Sequence, residues 1–162
     1  MIITKKLLIE KEACEEGLDF MEKNNLYNMD SQDLALKLLE LKESNYFFWL
    51  VDIFKIEDRK EIRDKITDSD DACFYCEYVK DTKSMRDKIT DSYSAYRYCK
   101  YVKDRKEMRN KITDSYDAYI YCKYVKDRKE IRNKITDGDD AYLYCIYLNK
   151  KDKRINELAE QN

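Results

Sequence analysis

The chain has 162 residues, of which 41% are charged and 43% hydrophobic, with a formal net charge of −2. That balance excludes a disordered polyelectrolyte, and no apolar run approaches the roughly 18 residues a membrane-spanning helix needs. With no proline and only two glycines, the turn chemistry of a β-rich protein is missing, so the expected class is all-α.

The opening Met1-Ile2-Ile3-Thr4-Lys5-Lys6 puts its charges after its apolar residues and is not expected to be a secretion signal. Thr4 to about Asn24 carries Leu7, Leu8, Ala13, Leu18, Phe20 and Met21, which reads as one long helix or two broken near Gly17. Asp30-Ser31 can cap a helix from Gln32 to about Leu41, and Ser44-Asn45 open another through Phe54. That last segment holds the longest apolar run, Tyr46 to Val51, and is expected to seal the first end of a stack of helices.

From Arg59 the chain repeats itself with a period of 23 residues: Arg59–Asp81, Thr82–Asp104, Arg105–Asp127 and Arg128–Lys150, then a decayed start in Lys151–Asn162. A period of this size marks a stacked repeat architecture. In the third copy Asp114-Ser115 precede a helix from Tyr116 to Lys126, whose Ala118, Tyr121, Cys122 and Val125 share one face. A turn at Lys126-Asp127 leads to a shorter helix, Arg128–Ile135, with Ile131 and Ile135 one turn apart. Neither helix could bury its apolar face alone. The expected architecture is a right-handed α-solenoid-like stack of helix pairs over residues 59–150, with capping regions at 1–58 and 151–162.

Beside the core stripe each long helix carries a second one that varies in charge and size between copies. It is rich in Tyr and Lys/Arg, residues that combine contact area with polar tips. The expected contact residues are Tyr93, Tyr96, Arg97, Lys100, Tyr116, Tyr119, Ile120, Lys123 and Tyr142. A partly solvated face that merely covers its neighbours is the plainer reading of the same stripe. Charge is also uneven. Residues 1–58 have 7 Lys/Arg against 13 Asp/Glu, whereas the second, third and fourth copies have 6 against 3, 6 against 4 and 5 against 4. Such asymmetry steers an acidic partner toward the basic end, although surplus lysine on solvated faces gives the same count.

Several constellations carry less. Cys73-Phe74-Tyr75-Cys76 is formally C-x-x-C, but the chain has no histidine, and tyrosine replaces the first cysteine in the other copies, so no metal is expected. Cys76, Cys99, Cys122 and Cys145 form one rung per copy and are expected to be buried, reduced thiols. Without histidine the usual general base is missing. Asp70-Asp71 and Asp139-Asp140 sit at helix starts and complement the helix dipole. No enzyme activity and no cofactor are expected.

The unit Ile112-Thr113-Asp114-Ser115-Tyr116-Asp117-Ala118-Tyr119-x-Tyr121-Cys122-x-Tyr124-Val125-Lys126-Asp127-Arg128 resembles a short helical repeat common in proteins of phages and other mobile elements. Cysteine stands here where alanine is usual. Ala13-Cys14-Glu15-Glu16-Gly17-Leu18-Asp19-Phe20 is similar to an N-terminal stretch of such proteins. The resemblance implies no catalytic activity. It points to small inhibitors of host defence, such as anti-CRISPR proteins, which act by covering a nucleic-acid-binding or assembly surface.

The expected function is therefore a cytoplasmic, non-enzymatic protein-binding module that occludes a partner, for example a nucleoprotein complex of a defence system, as a monomer or dimer without membrane contact. The alternative is direct binding of RNA or single-stranded DNA by basic helices interleaved with tyrosine, for which Arg59-Lys60, Arg63, Lys65, Arg86, Lys88, Arg105-Lys106, Arg109, Lys111, Arg128-Lys129, Arg132 and Lys134 supply the charge. A self-assembling scaffold is a third reading, which the polar tail with Arg154, Glu157 and Glu160 disfavours.

Overall fold

A computed structural model describes residues 1–149 and 152–160; Lys150, Lys151, Gln161 and Asn162, and with them the sequence boundary between the fourth copy and the tail, lie outside. Thirteen helices make up the described residues, together with one two-residue antiparallel pair, β1 (Ile2–Ile3) against β2 (Met29–Asp30). The fold is all-α and repetitive, as its composition implies. The chain divides into two compact units, Met1–Lys80 and Asp81–Asn162.

The first unit opens with α1 (Lys5–Glu10), α2 (Glu15–Lys23), α3 (Ser31–Glu40) and α4 (Ser44–Ile53). The break between the first two helices falls at Lys11 to Cys14 and not near Gly17, which lies inside α2. The turns are built without glycine: Glu12, Asn25 and Lys42 take positive φ of 59°, 53° and 62° just after α1, α2 and α3. In each turn the next N–H reaches back to close the helix end, Ala13 to the Leu8 carbonyl, Leu26 to Met21 and Glu43 to Leu38. Asp30 caps α3 as expected, accepting from the Gln32 N–H at 2.9 Å. The first copy's short and long helices, α5 (Lys60–Lys65) and α6 (Ser69–Tyr78), pack against α3 and α4 respectively. The boundary of the compact unit thus falls one copy later than the start of the repetition.

The second unit holds α7 (Lys83–Lys88) with α8 (Ser92–Tyr101), α9 (Lys106–Lys111) with α10 (Ser115–Tyr124), α11 (Lys129–Arg132) with α12 (Gly138–Leu148), and the terminal α13 (Lys153–Ala159). The short helices are shorter than the sequence suggests. The long ones end at the tyrosine before Val102 and Val125, and those valines are half-buried caps, outside the helical face on which the spacing places them.

Equivalent positions are buried alike in every copy. Tyr75, Tyr98, Tyr121 and Tyr144 are all 0% exposed, and Ala72, Ala95, Ala118 and Ala141 are equally buried. Ile62, Met85, Met108 and Ile131 are the buried residues of the short helices. The aspartates before each long helix cap it: Asp91 accepts from the Ser94 N–H at 2.8 Å and Asp114 from the Asp117 N–H at 3.1 Å. Within the second unit, polar side chains then tie each copy to the next. Ser92 Oγ accepts from the N–H groups of Thr113 and Asp114, and Ser115 Oγ from those of Thr136 and Asp137. In the fourth copy glycine (Gly138) stands in this place.

Candidate functional site

The basic residues of the short helices are engaged inside the fold. Asp104 Oδ1 takes the Arg109 guanidinium at 2.8 Å and the Tyr121 hydroxyl at 2.9 Å, while Oδ2 takes Arg128 of the following copy at 2.7 Å. Asp81 is held in the same way by Arg86 at 2.7 Å and Arg105 at 2.9 Å, and Arg105 Nε also donates to the Tyr98 hydroxyl at 2.8 Å. In the first unit Asp58 receives Tyr75, Arg63 and Lys80. Burial pushes these carboxyls up, but the hydrogen bonds outweigh it, so Asp81 and Asp104 are held below the usual range and Asp58 down to about 2. Burial, together with the aspartates they bond, pushes the Tyr98 and Tyr121 hydroxyls well above the usual tyrosine range.

Lys111, at the end of α9, and Lys134, just beyond α11, are also engaged. Lys111 Nζ donates to the carbonyls of Arg86 and Ile89 at 2.8 and 2.6 Å, and Lys134 Nζ to those of Arg109 and Ile112 at 2.8 and 2.5 Å. Arg154 repeats the contact on Arg132 and Ile135 from the tail. Each cation therefore satisfies the open carbonyls that end the short helix of the preceding copy, where a positive charge is favoured.

A different face of the second unit carries tyrosine and lysine at the surface. Tyr101, Tyr124 and Tyr147, one per copy at the last turn of the long helix, are each about half exposed. Lysines lie between them. Lys100 Nζ is 4.8 Å from the ring centroids of both Tyr101 and Tyr124; Lys123 Nζ is 5.1 Å from Tyr124 and 3.6 Å from Tyr147. Arg97 lies 5.9 Å over Tyr101. Hydrogen bonding to Tyr101 raises the Lys100 ammonium pKa, and hydrogen bonding to Tyr119 raises that of Lys123, so both stay charged. The result is a ridge in which rings and ammonium groups alternate.

The residues expected from sequence distribute around this ridge. Tyr93, Lys100, Tyr116 and Tyr142 are exposed, and Arg97 and Lys123 half-buried. Tyr96, Tyr119 and Ile120 are buried, since the following copy covers them: Tyr119, for example, lies 6.5 Å from Tyr147. They support the surface from beneath, with Tyr93 6.1 Å from Tyr96 and Tyr116 5.9 Å from Tyr119 between ring centroids. Tyr142 occupies the same position in the fourth copy and is exposed. The column of Tyr101, Tyr124 and Tyr147 escaped the sequence reading. Its signal was present, as an invariant tyrosine three residues after each core tyrosine in copies two to four.

None of the six cysteines is in a disulfide. Burial pushes the Cys99 and Cys122 thiols up to about 12, which fits inert packing groups. Among the described residues no helix is long and apolar enough to cross a membrane. No protein-family model, no curated protein and no solved structure matches this chain.

Proposed function

We propose that the chain is a non-enzymatic binding module that covers a surface of a protein partner with the tyrosine–lysine ridge of its second unit. The single observation that carries the reading is the alternation of Tyr101, Lys100, Tyr124, Lys123 and Tyr147 on rigidly spaced helices. Pre-ordered tyrosines present large contact area with little rotamer entropy left to lose. The partner offers carboxylates to Lys100 and Lys123 and apolar or planar groups to the rings. Residues 81–162 hold 20 Lys/Arg against 15 Asp/Glu, and this surplus favours an acidic partner. In this reading the chain works in the cytoplasm, and the resemblance of its repeat to those of mobile elements supports a role as an occluding inhibitor of a host-defence complex, of the anti-CRISPR kind.

Direct nucleic-acid binding is the second reading, favoured by the interleaving of Tyr with Lys. Against it, Arg105, Arg128, Lys111 and Lys134 are bonded to aspartates, tyrosine hydroxyls and carbonyls and are engaged within the fold instead of presented to phosphates. The test compares wild type with a Tyr101→Ala/Tyr124→Ala variant as bait in cell lysate, with nuclease and at raised salt. Retention of a protein by wild type alone, with unchanged helicity of the variant, supports the proposal. Equal retention by both, or retention of nucleic acid lost steeply with salt, defeats it.

A further inference from the structure

The N-terminal unit contains an apolar cavity of about 250 Å³ between α1, α2, α3 and α4. Its floor is Leu8, Met21, Leu34, Leu38 and Leu50, all buried. Cys14, Gly17, Tyr46 and Trp49 frame the mouth, and no charged side chain lines the space. Gly17 helps to keep it open. A β-carbon there would already stand 3.3 Å from Cys14 Sγ and 3.6 Å from Tyr46 Cε1, so any longer side chain would enter the cavity.

Size and chemistry together define the occupant. An aliphatic cavity of about 150 Å³ holds benzene, and drug-sized pockets begin at about 300 Å³. A volume between these fits one or two rings, roughly ten non-hydrogen atoms. Walls without charge cannot compensate an ionised ligand for its lost water, so the occupant is neutral. The rings of Tyr46 and Trp49 at the mouth offer edges and faces to another ring, and the Asn45 amide beside them can take a hydroxyl or carbonyl. We infer that the N-terminal unit binds a small neutral aromatic molecule in this cavity. The inference is independent of the ridge on the second unit.

Two native reporters sit at the mouth: Trp49 is the chain's one tryptophan, and Cys14 is an exposed free thiol. The full chain is titrated with iodobenzene, whose heavy atom quenches tryptophan on contact. Saturable quenching of Trp49 is expected, reversed by competing benzyl alcohol. At iodobenzene equal to twice its Kd, alkylation of Cys14 by iodoacetamide slows about threefold, the factor 1 + [L]/Kd. Gly17→Leu fills the space from a helical position and abolishes both effects. Should that variant not fold, the benzyl alcohol competition on wild type decides alone. Quenching that rises linearly without saturation, together with unchanged alkylation, overturns the inference. So does a folded Gly17→Leu variant that loses a protein partner while iodobenzene fails to saturate wild type, because the cavity would then receive a partner's side chain.

Discussion

Arg128 and Asp104 meet across 24 residues of chain: Nη2 of the arginine lies 2.7 Å from Oδ2 of the aspartate, whose other oxygen receives Arg109 and Tyr121. One carboxylate thus fastens two successive copies. Asp104→Ala strands two guanidinium groups in a partly buried site. It is expected to lower stability by about 2–4 kcal/mol, somewhat under the cost of breaking a fully buried pair because Asp104 keeps some exposure. Urea unfolding followed by circular dichroism measures it, and a loss under about 0.5 kcal/mol would show the network to be a surface feature.

Tyr121→Phe removes one hydroxyl from the same carboxylate while leaving the buried ring in place. The expected cost is about 1.5–3 kcal/mol, the range for a hydrogen bond to a charged group. Tyr124→Ala, three residues on and half exposed, is expected to change stability by less than about 1 kcal/mol. The pair of variants therefore separates the tyrosines that hold the fold from those that face outward.

Acid should reveal the Asp58 cluster. Its burial would raise the carboxyl, but Lys80, Tyr75 and Arg63 hold it down to about 2, against about 3.9 for an unfolded aspartate. A carboxyl depressed by folding contributes stability above the unfolded value and loses it as the pH falls through the folded one. Asp58→Asn is accordingly destabilised at pH 7, and its deficit against wild type closes between about pH 4 and pH 2. A deficit that stays constant over that interval would assign the effect to packing instead of charge.

Cysteine chemistry gives a map of the interior. Cys73, Cys76, Cys99 and Cys122 are buried, whereas Cys14 is exposed. In the native protein at pH 8, iodoacetamide is expected to modify Cys14 first, with the four buried thiols reacting only after denaturation. Peptide mass mapping reads the order, and early labelling of Cys99 or Cys122 would mean that the second unit opens locally.

Lys42 turns the chain after α3 in the left-handed region, at φ 62°. A residue with a side chain is disfavoured there by about 1–2 kcal/mol, part of which glycine returns as flexibility in the unfolded chain. Lys42→Gly is expected to stabilise the protein by about 0.5–1 kcal/mol, a shift visible as a raised thermal midpoint.

Much of this fold could be read before the structure. The 23-residue period set the copies, the spacing of Ala118, Tyr121 and Cys122 set the buried face, and Asp30 and Asp114 marked helix starts. These signals are local, so sequence carries them directly. Glycine suggests a break near Gly17, but Glu12 makes the turn between α1 and α2 in its stead. The roles of the arginines were also illegible. A partner 24 residues away is chosen by how copies stack, and a run of Lys/Arg looks the same whether it faces phosphate or a neighbouring aspartate. Stacking likewise decided which of the striped tyrosines stayed exposed: Tyr96 and Tyr119 are covered by the next copy and Tyr142 is not.

The reach from Asp104 to Arg128 also makes the array indifferent to its own length. Asp81 pairs with Arg105 over the same 24 residues, so excising residues 105–127 would place Arg128 where Arg105 stood and give Asp104 the surroundings that Asp127 now has. Inserting a further copy at Asp127 would do the same in the other direction. Loss or gain of a whole copy strands no buried charge, whereas loss of a single residue within a copy breaks the register of the pairs that span it. A protein fastened this way can change the span of its surface in whole steps, and only in whole steps.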